Sequence, residues 1–518
     1  MPPKGIPSNR FDMNSITSKI TTSVMIIKPA LTSLFVGITL GVCAQAPMVK
    51  TAYTLDDIVQ LAKDQSPDAF RAKHTFRASY WEYRTYKADL LPSLSLDATI
   101  PEFNRSLKKY QLSDGTYSYI EENSSSASAN LSMKQNIGLT GGNLFVTSEM
   151  MRTDQLGANR STTFFASPFI IGFSQPINGY NSFRWKKKIQ PLKYEEARRR
   201  YLQDMENVSM KAANLFFSLL ISQQQLEVAQ INNANSDTLY KISRGRYNIG
   251  TIAENELLQM ELSNLNAGKA LNEARIQLEV EKFRIRSFLG FNDKVDIELS
   301  IPGAPPSGEL AYEDVMSKVG INNPDQLSYD RELLESQERV ALARSQRGFQ
   351  ANLYARYGVT QQATLLRDAY KDPQEQQRVS LGIQIPILDW GLGRGKVQMA
   401  KSNLELARIK VQQARVDFNQ QLFLQVMQFN MEDDQLFIAT KADTIAQKRY
   451  EVTKQRFLIG KITVLDLNIA QNERDAAKIS YLNALSSYWG SYFNLQSIAL
   501  FDFARNKELE TDFETLVK

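Results

Sequence analysis

Hydrophobic and polar residues alternate strictly in several short stretches of the chain. In 94–100, apolar Leu, Leu, Ala and Ile are separated by Ser, Asp and Thr, and similar alternation recurs in 169–173, 351–359 and 379–387. A period of two is typical of β-strands whose two faces meet different surroundings. The strands are predicted to be about ten residues long, the length that a tilted strand needs to cross a membrane. Half-buried strands of a soluble sheet are the alternative interpretation.

Apolar and small residues recur at intervals of three and four along much longer segments, which is the spacing of a coiled-coil seam. One seam runs through 257–288, and the positions 210 residues further on, 467–498, keep the same register. Another seam runs through 400–418. The segment 394–456 would measure roughly 90 Å as one helix, so we expect an elongated molecule. Because many seam positions hold Ala, Asn, Gln or Ser, several helices packed side by side around a wet interior are favoured.

The chain is a tandem repeat with an offset of 210 residues. The segment 240–252, Tyr-Lys-Ile-Ser-Arg-Gly-Arg-Tyr-Asn-Ile-Gly-Thr-Ile, recurs at 450–462 as Tyr-Glu-Val-Thr-Lys-Gln-Arg-Phe-Leu-Ile-Gly-Lys-Ile. The same offset relates Pro176 to Pro386, and each proline is followed by Ile. We expect these two prolines to mark strand-to-helix junctions, one in each repeat.

Each repeat is predicted to hold a helix, a strand pair and a long helical hairpin. Glycine provides the left-handed conformation in which many helices end, so Gly250 and Gly460 are predicted to mark the hairpin tips. Further alternation within the insertion 102–167 of the first repeat predicts an added hairpin or longer external loops. The predicted boundaries are 1–46 for a leader, 47–300 for the first repeat, 301–310 for a linker, 311–500 for the second repeat and 501–518 for a C-terminal tail.

The leader, 1–46, is predicted to be a secretory signal peptide. Four basic residues precede the apolar stretch 30–43, and Ala-Gln-Ala follows it as a small-x-small cleavage pattern. Met25 is an alternative start that would give a compact leader. Acylation of Cys43 is a second alternative, although Val42 is bulky where lipoprotein sites have a small residue.

The composition excludes most catalytic and metal chemistry. The 518 residues include a single His, His74, and a single Cys, Cys43, so a histidine pair, a Cys-His dyad or a zinc-ligand cluster cannot form within one copy. Lys and Arg number 61 against 56 Asp and Glu, a balance that indicates no nucleic-acid partner. We therefore expect no enzyme and no cofactor. A hydrolase that uses carboxylates alone fits the composition, but no nucleophile turn accompanies it.

Two strand pairs amount to four strands, which cannot form a closed sheet alone. A bilayer admits only sheets without edges, and the smallest closed barrel has about eight strands. If the strands cross a membrane, several copies must share one barrel, with their helices extending away from it. No stretch after the leader reaches the roughly 18 apolar residues of a transmembrane helix.

The doubled tips, the two Pro-Ile junctions and the preserved seams together resemble the TolC-like outer membrane efflux proteins, or outer membrane factors, over about residues 53–500. The resemblance implies an α+β membrane protein. In such a homotrimer, four strands per chain form a shared β-barrel in outer-membrane lipid, and a long α-helical barrel continues it into the periplasm.

The function that the resemblance implies is a passive exit duct of a tripartite efflux pump or type I secretion system. Its partners would be a periplasmic adaptor (membrane fusion) protein and an inner-membrane RND pump or ABC exporter. The alternative is a periplasmic coiled-coil adaptor or scaffold without a pore, which predicts a single helical hairpin. Nothing in the sequence indicates the cargo.

In this family, carboxylates just after the second tip ring the periplasmic entrance. Asp466 matches the first of them, and Glu256 is its counterpart after the first tip. The second family carboxylate falls on Ile469, which implies an entrance constriction closed partly by hydrophobic contact. Threefold symmetry would triple the charge of Asp466. Alternatively, Asp466 is a first-turn residue that the helix dipole favours.

The resemblance also implies that the adaptor docks on the two tips. The docking positions would be Arg246, Ile249, Gly250, Thr251 and Ile252 in the first tip, and Arg456, Ile459, Gly460, Lys461 and Ile462 in the second. The isoleucines are alternatively apolar staples of the turns.

Overall fold

The computed structural model describes residues 53–156, 160–291, 296–306 and 308–517. The predicted signal peptide and Cys43 lie outside these residues. The described chain contains a large antiparallel sheet, a set of long helices and a two-stranded sheet near the C-terminus.

Six strands form the large sheet, in the order in which they occur along the chain. They are β1 (Ser93–Gln111), β2 (Tyr117–Asn136), β3 (Asn143–Gln155), β4 (Ser161–Ile177), β5 (Gln350–Ala363) and β6 (Gln374–Gln384). All neighbouring strands are antiparallel. The expectation of four strands per chain is therefore wrong, because the first repeat contributes two hairpins and the second repeat contributes one.

The strands are also longer than the ten residues expected, and β2 reaches 20 residues. Residues 102–167 form the outer part of β1, all of β2 and β3, and the start of β4. Register shifts occur around Pro101 in β1 and Pro168 in β4. A bulge moves the following residues to the opposite face, so a single period-two pattern stops there and underestimates both the length and the number of the strands.

One face of the sheet is apolar across neighbouring strands. Successive backbone partners place Leu94, Met133, Val146, Ile171 and Tyr357 in one row from β1 to β5. Side chains alternate between the two faces of a strand, and the positions beside this row in β1 and β2 hold mainly Ser, Asn, Asp and Lys. The sheet thus has an apolar face and a polar face.

The two repeats have helices of matching order and length. The first repeat contains α1 (Leu55–Gln65), α2 (Pro67–Ala88), α3 (Ser182–Asn248) and α4 (Glu254–Leu289), and the second contains α5 (Tyr312–Asn322), α6 (Pro324–Arg347), α7 (Leu392–Leu458) and α8 (Val464–Ala499). Both α3 and α7 have 67 residues, or roughly 100 Å. Among the described residues, no helix is long and apolar enough to cross a bilayer.

The chain ends with a small cap. It consists of β7 (Phe501–Asp502), β8 (Lys507–Glu508) and α9 (Phe513–Val517). The ring of Phe513 packs on the ring of Phe76 in α2 with a centroid distance of 5.1 Å. The predicted linker has no regular secondary structure in its described residues, and Trp489 Nε1 donates a hydrogen bond to the Gly303 carbonyl at 3.0 Å.

The long helices pack side by side at two levels. Near the sheet, α3 packs against α2 and α6, and α6 packs against α7. Toward the hairpin tips, α3 packs against α4 and α8, and α8 packs against α7. At both levels α7 therefore lies at one lateral side of the chain, with α2 or α4 at the other side.

The main hydrophobic core joins the two repeats partway along the long helices. Its buried members include Ile58 of α1, Phe216 of α3, Ile285 of α4, Val319 of α5 and Leu485 of α8. Truncation of a buried residue of this size costs about 2–5 kcal/mol. Burial in this belt of side chains fixes the helices that carry the hairpin tips.

Candidate functional site at the helix tips

The first tip joins α3 to α4 and the second tip joins α7 to α8, and both use the same turn. The amide of Thr251 donates to the Arg246 carbonyl at 2.9 Å, and the amide of Lys461 donates to the Arg456 carbonyl at 3.0 Å. This six-to-one hydrogen bond is the signature of a Schellman motif. Its left-handed residue is glycine in both tips, with φ of 73° at Gly250 and 75° at Gly460. The sequence repeat thus encodes two equivalent turns.

The returning helices begin differently. At the second tip, Thr463 and Asp466 form a capping box: the Asp466 amide donates to Thr463 Oγ1 at 3.3 Å, and the Thr463 amide donates to Asp466 Oδ2 at 3.1 Å. At the first tip the equivalent N-cap is Ala253, which has no side chain able to accept this bond. Glu256 occupies the position of Asp466 and is exposed. A capping box stabilises a helix start by satisfying amides that the helix leaves without partners.

Asp466 is therefore a structural carboxylate as well as a candidate entrance residue. Hydrogen bonds from the Thr463 hydroxyl and amide hold the pKa of Asp466 below its ordinary value of 3.8. The carboxylate is exposed and remains charged at neutral pH. Ile469 follows three residues later, so it shares the same side of α8, and its side chain is also exposed.

Arg246 connects the two tips. Its guanidinium donates from Nη2 to the Leu458 carbonyl at 2.9 Å and lies 5.8 Å from the ring centroid of Phe457. Phe457 is buried at 4% exposure, whereas its counterpart Tyr247 is 38% exposed. The second tip thus packs more deeply than the first.

Most of the other predicted docking residues are exposed. Ile249 and Ile459, the residues before the glycines, are 74% and 65% exposed. Ile252 and Ile462 are half-buried, and Ile462 packs against the small core of the tips. Thr251, Lys461 and Arg456 are exposed. Apolar side chains with this exposure can act as contact points for another protein.

The two candidate junction prolines lie far from the tips. Pro176 is the next-to-last residue of β4, and Pro386 follows the end of β6. Each is separated from its tip by a 67-residue helix. The junctions and the tips are therefore two distinct parts of the molecule.

A buried polar cluster near the tips was not anticipated from the sequence. Arg474 of α8 donates to Asp475 at 2.8 Å and to Asn232 of α3 at 2.8 Å, and its guanidinium lies 4.1 Å from the ring centroid of Tyr450 in α7. Asn232 in turn donates to Asp475 at 2.7 Å. The cluster ties three helices together. The sequence feature that could have indicated it is Arg474 itself, a charged residue at a seam position of α8.

Two exposed apolar stripes were also missed, because the seams identified in the sequence are the buried ones. The α4 stripe consists of Leu258, Leu262, Leu265, Ile276 and Phe283. The α7 stripe consists of Met399, Leu406, Ile409, Val416, Phe423, Met427, Ile438, Ile445 and Val452. Spacings of three, four, seven and eleven residues, which are close to whole numbers of helical turns, place each stripe along one side of its helix. Each helix therefore carries a second apolar seam that the described part of the chain leaves largely exposed.

A polar cleft of about 1130 Å³ lies between α4 and α8 above α3. Amide side chains dominate its lining, among them Gln225, Asn232, Asn266, Gln471, Asn472 and Asn483. Glu273 and Asp475 are the charged residues of the lining. Such a surface is suited to water and to polar solutes.

The fold is similar to that of several solved outer-membrane channels. The channel CmeC of Campylobacter jejuni aligns over 94% of this chain and 96% of its own, with a TM-score of 0.61 at 17% identity. VceC of Vibrio cholerae aligns over 88% and 97% with a TM-score of 0.60 at 13% identity. The open state of MtrE of Neisseria gonorrhoeae aligns over 88% and 91% with a TM-score of 0.58 at 13% identity.

No curated protein matches the chain. The sequence profile of the outer membrane efflux protein family matches residues 146–290 and 315–499, more than half of the chain. The matched segments include both helix tips, the larger part of β3, and all of β4, β5 and β6. The chain therefore belongs to the outer membrane efflux protein family and is an outer-membrane channel for efflux.

Proposed function

We propose that three copies of the chain close into one duct, with a shared β-barrel in the outer membrane and a helical tunnel in the periplasm. The observation that carries this proposal is the position of the two exposed stripes. Helix α4 lies at one lateral side of the chain and α7 at the other, and each carries its exposed stripe. An interface between unlike surfaces repeats around a ring, so α4 of each copy would pack on α7 of the next.

The geometry of the helices supports this pairing. Both α4 and α7 end at the tips, and Arg246 holds the two tips of one chain together. Counted from the ends of α4 and α7 at the tips, Ile276 and Ile438 lie at similar distances along their helices. Packing the two stripes would bury apolar surface worth about 25 cal/mol per Å².

The open edges of the sheet support the same closure. Its outermost strands, β1 and β6, each leave one edge of backbone groups without a strand partner among the described residues of one chain. Unsatisfied backbone groups cost several kcal/mol each in lipid, which excludes open sheet edges. Three copies joined at these edges would form a barrel without edges, and the apolar face of the sheet would meet lipid.

The entrance constriction is proposed at the tip end of α8. Three copies would bring together three Asp466 carboxylates and three Ile469 side chains, with Glu256 contributing from α4. Repeated carboxylates around an axis favour cations, and the isoleucines would narrow the opening by apolar contact. The capping role of Asp466 is compatible with this placement because its carboxylate is exposed.

The tips are the proposed docking surface for a periplasmic adaptor protein. Ile249 and Ile459 supply exposed apolar contacts, and Lys461 and Arg456 supply charge. Through the adaptor, the duct would serve an inner-membrane RND pump or ABC exporter. The duct performs no chemical step. The alternative of a periplasmic scaffold receives no support, because its prediction of a single helical hairpin differs from the two hairpins found.

A charge placed in the α7 stripe tests the proposal. Ile445→Glu should abolish the trimer, because a carboxylate would be buried in the interface without a partner. Gln447→Glu is the matched control, since Gln447 is exposed on the same helix outside the stripe. The readouts are the trimer band on an unheated gel of the outer-membrane fraction and ion conductance in a planar bilayer. A monomeric, non-conducting wild type would overturn the proposal.

A further inference from the structure

We propose that the hairpin β1–β2 is part of the membrane wall, so that three copies close a barrel of eighteen strands in which β1 of one chain pairs with β6 of the next. This inference rests on the proposed trimer. The family match begins only at residue 146, within β3, and the hairpin therefore lies outside it. Two arrangements can be distinguished by experiment. Either the hairpin is part of the barrel wall, or the wall consists of β3–β6 alone and the hairpin lies outside it.

The apolar and polar faces of the sheet continue across β2 and β1. In β1, Leu94 and Leu96 are 69% and 67% exposed, and they pair with Met133 and Leu131 of β2. Met133 in turn pairs with Val146 of β3. The apolar face of the four matched strands thus extends without a break across β2 and β1. A hairpin in water would not need an apolar face aligned with the lipid-facing one.

The two hairpins of the first repeat are anchored in the same way at the end that lies next to the helices. Gln135 near the end of β2 donates to the Asn136 carbonyl at 2.8 Å and to the Leu90 carbonyl, just before β1, at 2.8 Å. Gln175 near the end of β4 donates to the Pro176 carbonyl at 2.8 Å.

Gln175 also donates to the Thr140 carbonyl, just before β3, at 2.9 Å. Each glutamine thus ties the closing strand of its hairpin to the segment that enters the same hairpin. The following residues correspond as well, since Ile137-Gly138 after β2 resembles Ile177-Asn178-Gly179 at the end of β4. The two hairpins are therefore built as equivalent units that start at one level.

The polarity of the hairpin β1–β2 changes along its length. From Ser124 onward β2 pairs with both β1 and β3, whereas its first residues pair with β1 alone. This outer part carries ion pairs between Arg105 and Glu121 and between Lys108 and Glu122. Charges belong outside the lipid. The hairpin thus has an apolar stem level with the other strands and a charged end that reaches beyond them.

Together these features leave β1, and not β3, as the edge that must be satisfied. The pairing of β2 with β3 occupies the edge of β3 along 13 successive positions, from Asn143 to Gln155. A twelve-stranded barrel would require that pairing to break so that β3 could meet β6 of the next copy. Retaining it costs nothing and places β1 beside β6, antiparallel, as in all other neighbouring pairs.

Cysteine cross-linking in outer membranes distinguishes the two walls. Cys43 is the single cysteine of the sequence and precedes the predicted cleavage site, so introduced thiols can be read without background. One series combines Ser95→Cys in β1 with a cysteine in β6. The matched series combines Thr147→Cys in β3 with the same β6 positions. Ser95 and Thr147 lie in one cross-strand row through Ser132, on the polar face, and the β6 positions are Ser380, Gly382 and Gln384.

The expected result is a three-chain species on a denaturing, non-reducing gel from at least one member of the Ser95 series and from none of the Thr147 series. Each variant is first checked for the trimer band on an unheated gel. Cross-links from the Thr147 series, or from neither series in a trimeric protein, would overturn the eighteen-stranded wall and leave the proposed duct intact. Absence of the trimer in the unsubstituted protein would overturn both.

Discussion

The first and second helix tips have the same turn, but they differ in the helix start that follows it and in the depth of their packing. The Schellman hydrogen bonds and the positive φ of Gly250 and Gly460 are nearly identical. The second tip adds the Thr463 capping box and buries Phe457, while the first has Ala253 and leaves Tyr247 partly exposed. Local sequence thus fixes the turn, and the neighbouring helices fix how firmly each tip is held.

This difference follows from position in the helical layer. Helix α8 lies between α3 and α7, so the second tip is covered on two sides. Helix α4 lies at the lateral side of the single chain, and the first tip is covered less. We therefore expect the second tip to be the stable one in an isolated chain, with the first gaining support from the next copy.

The largest expected effect comes from Arg474. Arg474→Met removes the guanidinium that contacts Asp475, Asn232 and Tyr450. It should lower the free energy of local unfolding of α8 near the second tip by about 2 kcal/mol. Hydrogen exchange of α8 amides should then become roughly thirtyfold faster. Asn264→Met is the control, since Asn264 is the half-buried counterpart in α4. If both substitutions accelerated exchange equally, the second tip would not be held more firmly than the first.

The next effect tests what the tips share. Gly250→Ala and Gly460→Ala should each cost about 1–2 kcal/mol, because a non-glycine residue is strained at positive φ. A Cβ at either glycine would meet no atom within 4 Å, so the cost comes from the backbone alone. Exchange of the amides around each tip should accelerate by similar factors. Clearly unequal factors would show that the two turns are not equivalent.

Capping should account for part of what the tips do not share. Thr463→Ala should destabilise the start of α8 by about 1 kcal/mol, because it removes the hydroxyl that accepts a hydrogen bond from the Asp466 amide. Ala253→Ser should stabilise the start of α4 by up to about the same amount, since Glu256 stands at the third helical position that a capping box requires. Local hydrogen exchange measures both. No gain from Ala253→Ser would mean that the first tip is limited by its packing.

The smallest effect is a pH dependence confined to the second tip. Because the pKa of Asp466 is lowered in the folded protein, its contribution to stability is complete above the ordinary value of 3.8 and is lost as the pH falls below it. Between about pH 5 and about pH 3, corrected exchange rates at residues 463–467 should rise. Thr463→Ala should remove this dependence. A rise that persists in the variant would assign it to another group.

Much of the architecture could be predicted from local pattern. The repeat, the hairpin tips at Gly250 and Gly460, and the long seams follow from residues that act within their own segment. The prediction of an outer-membrane efflux channel is confirmed by the family match. The roles of Asp466, Ile469 and the tip isoleucines stay predictions, because they depend on contacts between copies.

The sequence pattern predicted four strands where the sheet has six, and the reason is physical. Bulges around Pro101 and Pro168 move the following residues to the opposite face of the sheet. In addition, β2 is rich in Ser and Ala, so its two faces differ little in hydrophobicity. The Arg474 cluster joins residues from three helices that are distant in sequence. Such pairings are set by tertiary packing and leave little trace in a single sequence.

In the proposed duct, the α4 stripe of one copy packs on the α7 stripe of the next, and the ring closes at three copies. The most direct measurement oxidises a variant with Ile276→Cys and Ile438→Cys in outer membranes and determines the size of the product on a denaturing gel without reductant. The account predicts a covalent species of three chains, with nothing larger, that returns to monomers on reduction. Monomers alone, or an open-ended ladder of higher species, would contradict it.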